Sequence, residues 1–127
     1  MQGVLTRTAP TPVGPYSQAV VHAGLVFASG QIPLDPETGA LVAGPIEAQT
    51  ERVLENLRAV LEAAGSGLDR VLRTTVYVTD LSLFARVNAV YARSFTSSPQ
   101  PARATVQVAA LPLGALIEID AIAALER

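Results

Sequence analysis

The sequence predicts a single α+β domain, residues 1–127, in which two helices cover one face of a β-sheet. A chain of this length is the size of one domain, and no composition shift or long linker divides it. Five short stretches are rich in residues typical of strands, and two longer ones repeat apolar residues at helical spacing. Their order is ββαβαββ. Placing both helices on one face would bury the apolar sides of helices and sheet together.

The first three elements are predicted to be a hairpin and a helix. After a proline-rich start, Tyr16–Val21 and Leu25–Gly30 are predicted strands that turn at residues 22–24. An irregular loop follows, and Gly44-Pro45 at its end favours the start of a helix. Gly65 is expected to end that helix. The apolar residues that recur at spacings of three and four are Val53, Leu54, Leu57, Val60, Leu61 and Ala64.

A third strand and a second helix follow. Arg70–Val78 is rich in Val and Thr, which is typical of a strand, and Asp80 or Ser82 can cap the helix after it. Asn88 shares the apolar stripe of this helix. A buried amide needs hydrogen-bond partners, so Asn88 either braces the backbone of a neighbouring element, the commoner role, or lines a site. The apolar members of the stripe are Phe84, Val87, Tyr91 and Phe95.

The last two predicted strands contain the residues most suited to chemistry. They are Ala102–Ala109 and Leu116–Ala124, separated by a turn at residues 112–114. In the first of them, the period of two places Arg103, Thr105 and Gln107 on one face. In the second, it places Glu118 and Asp120 together. Polar residues on such a strand face have two common explanations: contact with solvent, or an ion pair that involves Arg103. The less common explanation is a ligand site.

The composition excludes several kinds of chemistry. The chain has no cysteine, and all nine basic residues are arginine. It therefore has no thiolate nucleophile, no disulfide, no thiolate-bound zinc and no lysine for a Schiff base or a phosphate loop. Its one histidine, His22, lies at the predicted turn, where a structural role is commoner than a catalytic one.

The charge content bears on assembly and location. Only 16% of the residues are charged, against about 25% in typical soluble domains, so we expect an oligomer. A net charge of −2 lacks the basic surplus that nucleic acids select. The longest apolar stretch, Val108–Ile117, is too short to span a bilayer, and the N-terminus does not look like a signal peptide. We therefore expect a cytoplasmic protein that binds neither nucleic acid nor membrane.

Six short motifs together resemble the RidA family of reactive intermediate deaminases. No one of them is specific, but their order and spacing extend over more than a hundred residues, almost the whole chain. The motifs are Val13-Gly14-Pro15-Tyr16, Ala28-Ser29-Gly30-Gln31-Ile32-Pro33, Thr75-Val76-Tyr77-Val78-Thr79-Asp80-Leu81, Val87-Asn88, Pro101-Ala102-Arg103 and Ile117-Glu118-Ile119.

The resemblance implies a fold, an assembly and a reaction. The fold is chorismate-mutase-like, and the assembly is a homotrimer with three sites in clefts between subunits. The reaction is the hydrolysis of 2-imino acids, such as 2-iminopropanoate formed from 2-aminoacrylate, to 2-oxo acids and ammonia. It needs no cofactor, because the carbon of a protonated imine is already electrophilic.

The resemblance also assigns roles to residues of this chain. Arg103 matches the family's carboxylate anchor, a role that suits its planar fork of donors. Glu118 matches the acid that positions water, and Tyr16 matches the tyrosine that closes the pocket. The other matches are Ser29 and Gly30, in a loop beside the ligand, and Asn88, near the site.

Thr105 departs from the pattern, since many family members have cysteine two residues after the arginine. If this position contributes mainly its backbone carbonyl, threonine can replace cysteine without changing the mechanism; a direct side-chain role would affect activity. The strand register raises a second question. A tight hairpin would place Glu118 opposite Gln107 and Arg103 roughly 13 Å away, too far for one small ligand. Another register, a bulge or non-adjacent strands would change that distance.

Two other functions are compatible with parts of the sequence. A pocket containing Arg103 could belong to a non-catalytic module that binds or senses small carboxylates such as 2-oxo acids. Some family members are described as ribonucleases or translation inhibitors, but the acidic pI, the absence of lysine and the position of His22 argue against that activity here. The pair Glu118 and Asp120 is only a weak indication of glycosidase or metal chemistry.

Overall fold

The computed structural model describes residues 1–125, which form one six-stranded sheet and two α-helices. The predicted α+β class and the order ββαβαββ are confirmed from the second strand onwards, and a short edge strand that was not predicted precedes them. The strands are β1 (Gln2–Val4), β2 (Ala19–His22), β3 (Leu25–Gln31), β4 (Val71–Val78), β5 (Ala102–Gln107) and β6 (Ile117–Ala124). The helices are α1 (Ile46–Ala63) and α2 (Phe84–Ser94), and 3₁₀ turns cover Leu68–Arg70, Leu81–Leu83 and Pro112–Gly114.

The strand order in the sheet is β1-β2-β3-β6-β4-β5. Neighbouring strands are antiparallel except β4 and β5, which are parallel. The last strand of the chain therefore lies in the middle of the sheet, and β5 lies at its edge. A tight hairpin between β5 and β6 does not form, because β4 separates them.

Local sequence signals explain most element boundaries. The turn between β2 and β3 places Ala23 and Gly24 at φ of 53° and 78°, the two positive values of a type I′ hairpin turn. Helix α1 begins directly after Pro45, and Gly65, at φ of 88°, follows its end, as predicted. Asp80 accepts a hydrogen bond from the Ser82 backbone N–H and so caps the 3₁₀ turn that leads into α2.

Two segments differ from their predicted structure. Tyr16 precedes β2 instead of starting it, because the first paired residue of that strand is Ala19. Ser29 and Gly30 lie within β3, which agrees with the predicted strand Leu25–Gly30 but differs from the loop that the family resemblance implies. The pairing of β3 with β6 shifts register between Ala28 and Gln31. Such a bulge bends the strand and redirects its side chains, so these two residues still border a cleft.

The core lies between the two helices and one face of the sheet. The apolar stripes of both helices are buried against alternate residues of β4 and β6, and Leu57, Val60 and Leu61 of α1 are fully buried. Within the described residues, no helix has the length and apolar character needed to cross a membrane. The other face of the sheet carries half-buried and exposed side chains, including Phe27, Glu118 and Val106.

Candidate functional site

Arg103 lies on the edge strand β5 and is held by helix α2. It pairs with Thr74 of β4, which is buried against the helices, so the Arg103 side chain points to the helix-covered face. Its Nη1 donates a 2.7 Å hydrogen bond to Asn88 Oδ1. The guanidinium carbon lies 5.3 Å from the ring centre of Phe84 and 4.8 Å from that of Tyr91. Cation–π contacts on both rings fix the plane of the guanidinium.

The ring of Tyr91 is itself fixed from below. Its hydroxyl and that of Thr74 are 2.7 Å apart in a buried hydrogen bond, and its ring lies 4.4 Å from that of Phe95. Burial raises the pKa of Tyr91 above its usual value, and the Thr74 bond and the Arg103 charge oppose that rise. The phenol therefore stays neutral and acts as a rigid support for Arg103.

Glu118 lies in a separate cleft of about 340 Å³. Its neighbours along β6, Ile117 and Ile119, are fully buried toward the helices, so Glu118 points to the open face of the sheet. Burial raises the pKa of its carboxyl, and the charge of Asp120 raises it further. The residues that line the cleft are Val13, Tyr16, Ser29, Gly30, Ile32, Pro112 and Glu118.

Gly30 provides the space that the Glu118 carboxylate occupies. A Cβ at this position would overlap the carboxylate Oε2 and lie 2.8 Å from its carboxyl carbon. Real Cβ atoms do not approach other atoms so closely, so a side chain here would displace the carboxylate. Gly30 is therefore required for close approach and not for an unusual backbone angle.

Two residues of the cleft are held by backbone contacts. The Ser29 hydroxyl donates a 2.6 Å hydrogen bond to the carbonyl of Ser17. The Tyr16 hydroxyl accepts a 3.4 Å bond from the backbone N–H of Val13, and the Tyr16 side chain is 48% exposed. Ser29 is thus a fixed wall of the cleft, and Tyr16 is an exposed side chain at its border.

Buried amides of α1 position the edges of the same cleft. Asn56 is fully buried, and its Nδ2 donates to the carbonyls of Ile32 and Leu34 at 3.2 and 2.9 Å. Gln49 Oε1 accepts a 3.0 Å bond from the N–H of Leu116, directly before β6. Helix α1 therefore fixes both the loop after β3 and the start of the strand that carries Glu118.

Within one protomer, Arg103 and Glu118 do not come together. Arg103 is paired with Thr74 and Glu118 with Tyr77, three residues further along β4 and on the opposite face of the sheet. With two strand spacings between them, their Cα atoms are roughly 14 Å apart. Non-adjacent strands thus do not bring the pair together, and a single protomer presents two separate half-sites.

The remaining predicted site residues divide between these half-sites. Asn88 does not brace a backbone, since its side chain binds Arg103. Thr105 lies two residues from Arg103, and its hydroxyl oxygen is buried with no hydrogen-bond partner among residues 1–125.

The sequence pattern did not identify Phe84 and Tyr91 as parts of the arginine site. They occupy the predicted apolar stripe of α2, and together with Asn88 they follow the spacing i, i+4, i+7 of one helical face. Asn88, the polar residue within this apolar stripe, was the only sequence signal that this face of α2 contributes to a site. His22 lies exposed at the β2–β3 turn, and the described residues contain no cluster of three potential metal-binding side chains.

The fold and these two half-sites can be compared with known proteins. Residues 6–125 match the family model described as Endoribonuclease L-PSP. Protein DfrA of Myxococcus xanthus is 62% identical over 117 residues, which cover 91% of this chain and 88% of DfrA. The chloroplastic Reactive Intermediate Deaminase A of Arabidopsis thaliana is 50% identical over 96% of this chain and 65% of its own length.

A solved structure of a related protein has the same fold. Escherichia coli TdcF, crystallised with bound serine, superposes with a TM-score of 0.93 at 40% identity and covers 98% of both chains. The sheet with two helices on one face thus defines the chain as an α+β protein of the Endoribonuclease L-PSP type. More narrowly, the chain belongs to the RidA/YjgF family, as its motifs predict.

Proposed function

We propose that this protein is a deaminase that hydrolyses reactive 2-imino acids to 2-oxo acids and ammonia. The main support is the geometry of Arg103, whose guanidinium is fixed by Asn88 and two aromatic rings. Among residues 1–125 it forms no ion pair with a carboxylate. An exposed, oriented guanidinium with free donors suits a ligand carboxylate. The serine bound to the related TdcF carries such a group.

The proposed roles follow from the two half-sites. Arg103 binds the substrate carboxylate, with Asn88 and the backbone of Thr105 beside it. Glu118 positions the attacking water and accepts one of its protons. Tyr16 closes the pocket, and Ser29 and Gly30 form the wall against which the imine carbon lies.

The proposed reaction has two bond changes. First, the water oxygen bonds to C2 of the protonated imine, and Glu118 takes the proton that the water releases. Then Glu118 returns that proton to the nitrogen of the adduct and the C2–N bond breaks as ammonia leaves. The C2 hydroxyl becomes the carbonyl of the 2-oxo acid, and its proton passes by way of Glu118 to the departing ammonia, which leaves as ammonium. Positioned proton transfer of this kind contributes about 100-fold to 10,000-fold in rate. Because C2 of the protonated imine is already electrophilic, the protein needs to supply only orientation and proton transfer.

The separation of Arg103 and Glu118 supports a site shared between subunits. One small acid cannot reach both residues in a single protomer, whereas Arg103 of one copy and the Glu118 cleft of the next can face each other across an interface. The open face of the sheet offers a surface for this assembly, with Phe27 42% and Val106 40% exposed. We propose a homotrimer, the smallest ring after the dimer and the assembly that the family resemblance implies.

A binding module for small carboxylates is the second candidate. The serine complex of TdcF favours it, because that relative holds an amino acid in a crystal. Both candidates use Arg103, and only the deaminase needs Glu118. Replacement of Glu118 by Gln therefore separates them: it should abolish deamination and leave carboxylate binding intact.

The test generates 2-aminoacrylate in place with a serine dehydratase and traps the surviving imine with semicarbazide. The wild type should release pyruvate faster and leave less trapped adduct, and Arg103→Ala should lose both effects. Arg58→Ala, which removes an exposed arginine from the outer face of α1, is the matched control and should behave as the wild type. A wild type that binds pyruvate but leaves every imine untouched would establish the binding module instead.

A further inference from the structure

The pair Tyr77 and Asp120 lies beside Glu118 and has no part in the roles assigned above. Glu118 and Asp120 are two residues apart on β6 and point to the same open face. On the adjacent strand β4, Tyr77 lies directly opposite Glu118, and Thr75 lies opposite Asp120. The Tyr77 hydroxyl reaches diagonally across the pair and donates a 3.0 Å hydrogen bond to Asp120 Oδ2.

We propose that Asp120, held in place by Tyr77, is a positioning residue that makes Glu118 a stronger base. A fixed negative charge on the same face favours the protonated form of Glu118 and thus its ability to take a proton from water. Burial of Glu118 acts in the same direction. The catalytic consequence rests on the proposed function, whereas the charge effect itself does not.

Other groups face Glu118 from each neighbouring element. On β4, Tyr77 is neutral, since burial and the bond to Asp120 both raise its pKa. Arg73 lies on the same face, but its partner in β6 is Ile122, beyond Asp120. From the β3 side the neighbours are the uncharged Ser29 and Gly30, and Tyr16 borders the cleft. Among the described residues of one protomer, Asp120 is therefore the nearest fixed charge, and Tyr77 is the group that keeps it there. In the proposed trimer, Arg103 of the neighbouring copy adds a charge of opposite sign, which is the same in the wild type and in the Asp120 and Tyr77 variants.

Tyr77 has two effects on Asp120. As a donor it gives the carboxylate a 3.0 Å hydrogen bond that holds Oδ2 on the open face. It also limits rotation of that carboxylate toward solvent, where its effect on Glu118 would be screened. A phenylalanine in place of Tyr77 keeps the ring but loses both effects.

The first measurement is the titration of Glu118 itself, by carboxyl ¹³C NMR on the assembled protein, which needs no activity. Asp120→Asn, which keeps the shape and the Tyr77 bond, should move the Glu118 midpoint to lower pH. Tyr77→Phe should move it in the same direction by less. Glu51→Gln, which removes one acidic charge from the exposed face of α1, should leave it in place. An unchanged midpoint in Asp120→Asn, in an assembly of wild-type size, would overturn the proposal.

The second measurement is the pH dependence of kcat/KM. If ionised Glu118 is the base, activity falls as pH drops through its pKa, so a weaker base shifts the fall to lower pH. Well below the pKa of Glu118 in both proteins, Asp120→Asn should keep about fivefold more of its maximal kcat/KM than the wild type keeps at the same pH. If kcat/KM of the wild type and of Asp120→Asn falls over the same acidic pH range, the proposed effect of Asp120 on catalysis is refuted. A wild type without deaminase activity would refute the proposed function and leave the NMR result to decide the charge effect.

Discussion

The carboxylate of Glu118 depends on the absence of a side chain at Gly30. The two residues are far apart in sequence, yet any Cβ at position 30 would overlap the carboxylate. Glu118 also carries an ionisation cost, because burial and Asp120 both disfavour its charge. At the scale of single residues, the position of the Glu118 carboxylate thus lowers the stability of the folded protein when Glu118 is ionised.

Gly30→Ala should impair catalysis with little loss of stability. The new methyl group meets the end of a flexible side chain, so Glu118 can rotate away while the fold is kept. We expect kcat to fall by about tenfold to a hundredfold, the range for a misplaced catalytic group, and the free energy of unfolding to change by less than about 1 kcal/mol. Kinetics and urea unfolding measure the two effects. Gly3→Ala, where the new Cβ would meet only the Ser17 hydroxyl at an ordinary 3.5 Å, is the control, and a similar loss of kcat there would contradict this explanation.

Glu118→Gln should change stability in a pH-dependent way. Because the pKa of Glu118 is raised in the folded protein, its ionised form destabilises the fold above that pKa, and the effect disappears below the unfolded value. The variant should therefore be more stable than the wild type at pH 7 to 8, by about 0.5 kcal/mol for a half-exposed group, and equal to it near pH 4. Thermal unfolding across this range measures the difference. If the stability advantage of Glu118→Gln over the wild type became larger as the pH falls, the predicted direction of the pH dependence would be wrong.

At the scale of elements, helix α2 works as a holder for the arginine on β5. One face of the helix supplies a ring at Phe84, an amide at Asn88 and a second ring at Tyr91, all against Arg103. Helix α1 has a similar function for the other half-site through its buried Asn56 and Gln49. Each helix therefore buries apolar residues and also positions one part of the candidate site.

Asn88→Ala should weaken substrate binding. Loss of its hydrogen bond frees one side of the guanidinium, so we expect KM to rise by about fivefold, the equivalent of about 1 kcal/mol, with kcat changed less. Arg93→Ala, on the exposed side of the same helix, is the control for helix stability. Steady-state kinetics with one imino acid give both constants. An unchanged KM would mean that the aromatic rings alone hold Arg103.

At the scale of the whole molecule, Arg103 and Glu118 lie on opposite faces of one sheet, and the proposed trimer would bring them together from two copies. This arrangement is testable with hybrid assemblies. Arg103→Ala and Glu118→Gln protomers, each inactive alone, should regain activity after they are unfolded and refolded together. In a random trimer, about a quarter of the interfaces combine one intact Arg103 with one intact Glu118, so about a quarter of the wild-type activity should return. No recovery, in trimers shown to contain both variants, would place both residues in one subunit's site.

The sequence by itself determined the two helices, the principal strands and the family. Its signals were local: helical spacing in α1, the Gly44-Pro45 and Gly65 boundaries, a turn at residues 22–24, and motifs that keep their order along the chain. Strand and helix periodicity singled out Arg103, Thr105, Glu118 and Asn88 as candidates, and the family resemblance added Tyr16, Ser29 and Gly30 and assigned a role to each.

Only the tertiary structure decided which of these residues meet. The insertion of β6 between β3 and β4, the short pairing of β1, the bulge at Ser29 and Gly30, and the placement of Arg103 and Glu118 on opposite faces all depend on contacts between distant segments. The periodicity of one strand gives its faces but not its neighbours, because pairing is chosen by burial of the whole sheet against the helices. For the same reason, the sequence did not show that Phe84 and Tyr91 hold Arg103. Aromatic residues at helical spacing form the same pattern whether they pack against a core or against a guanidinium.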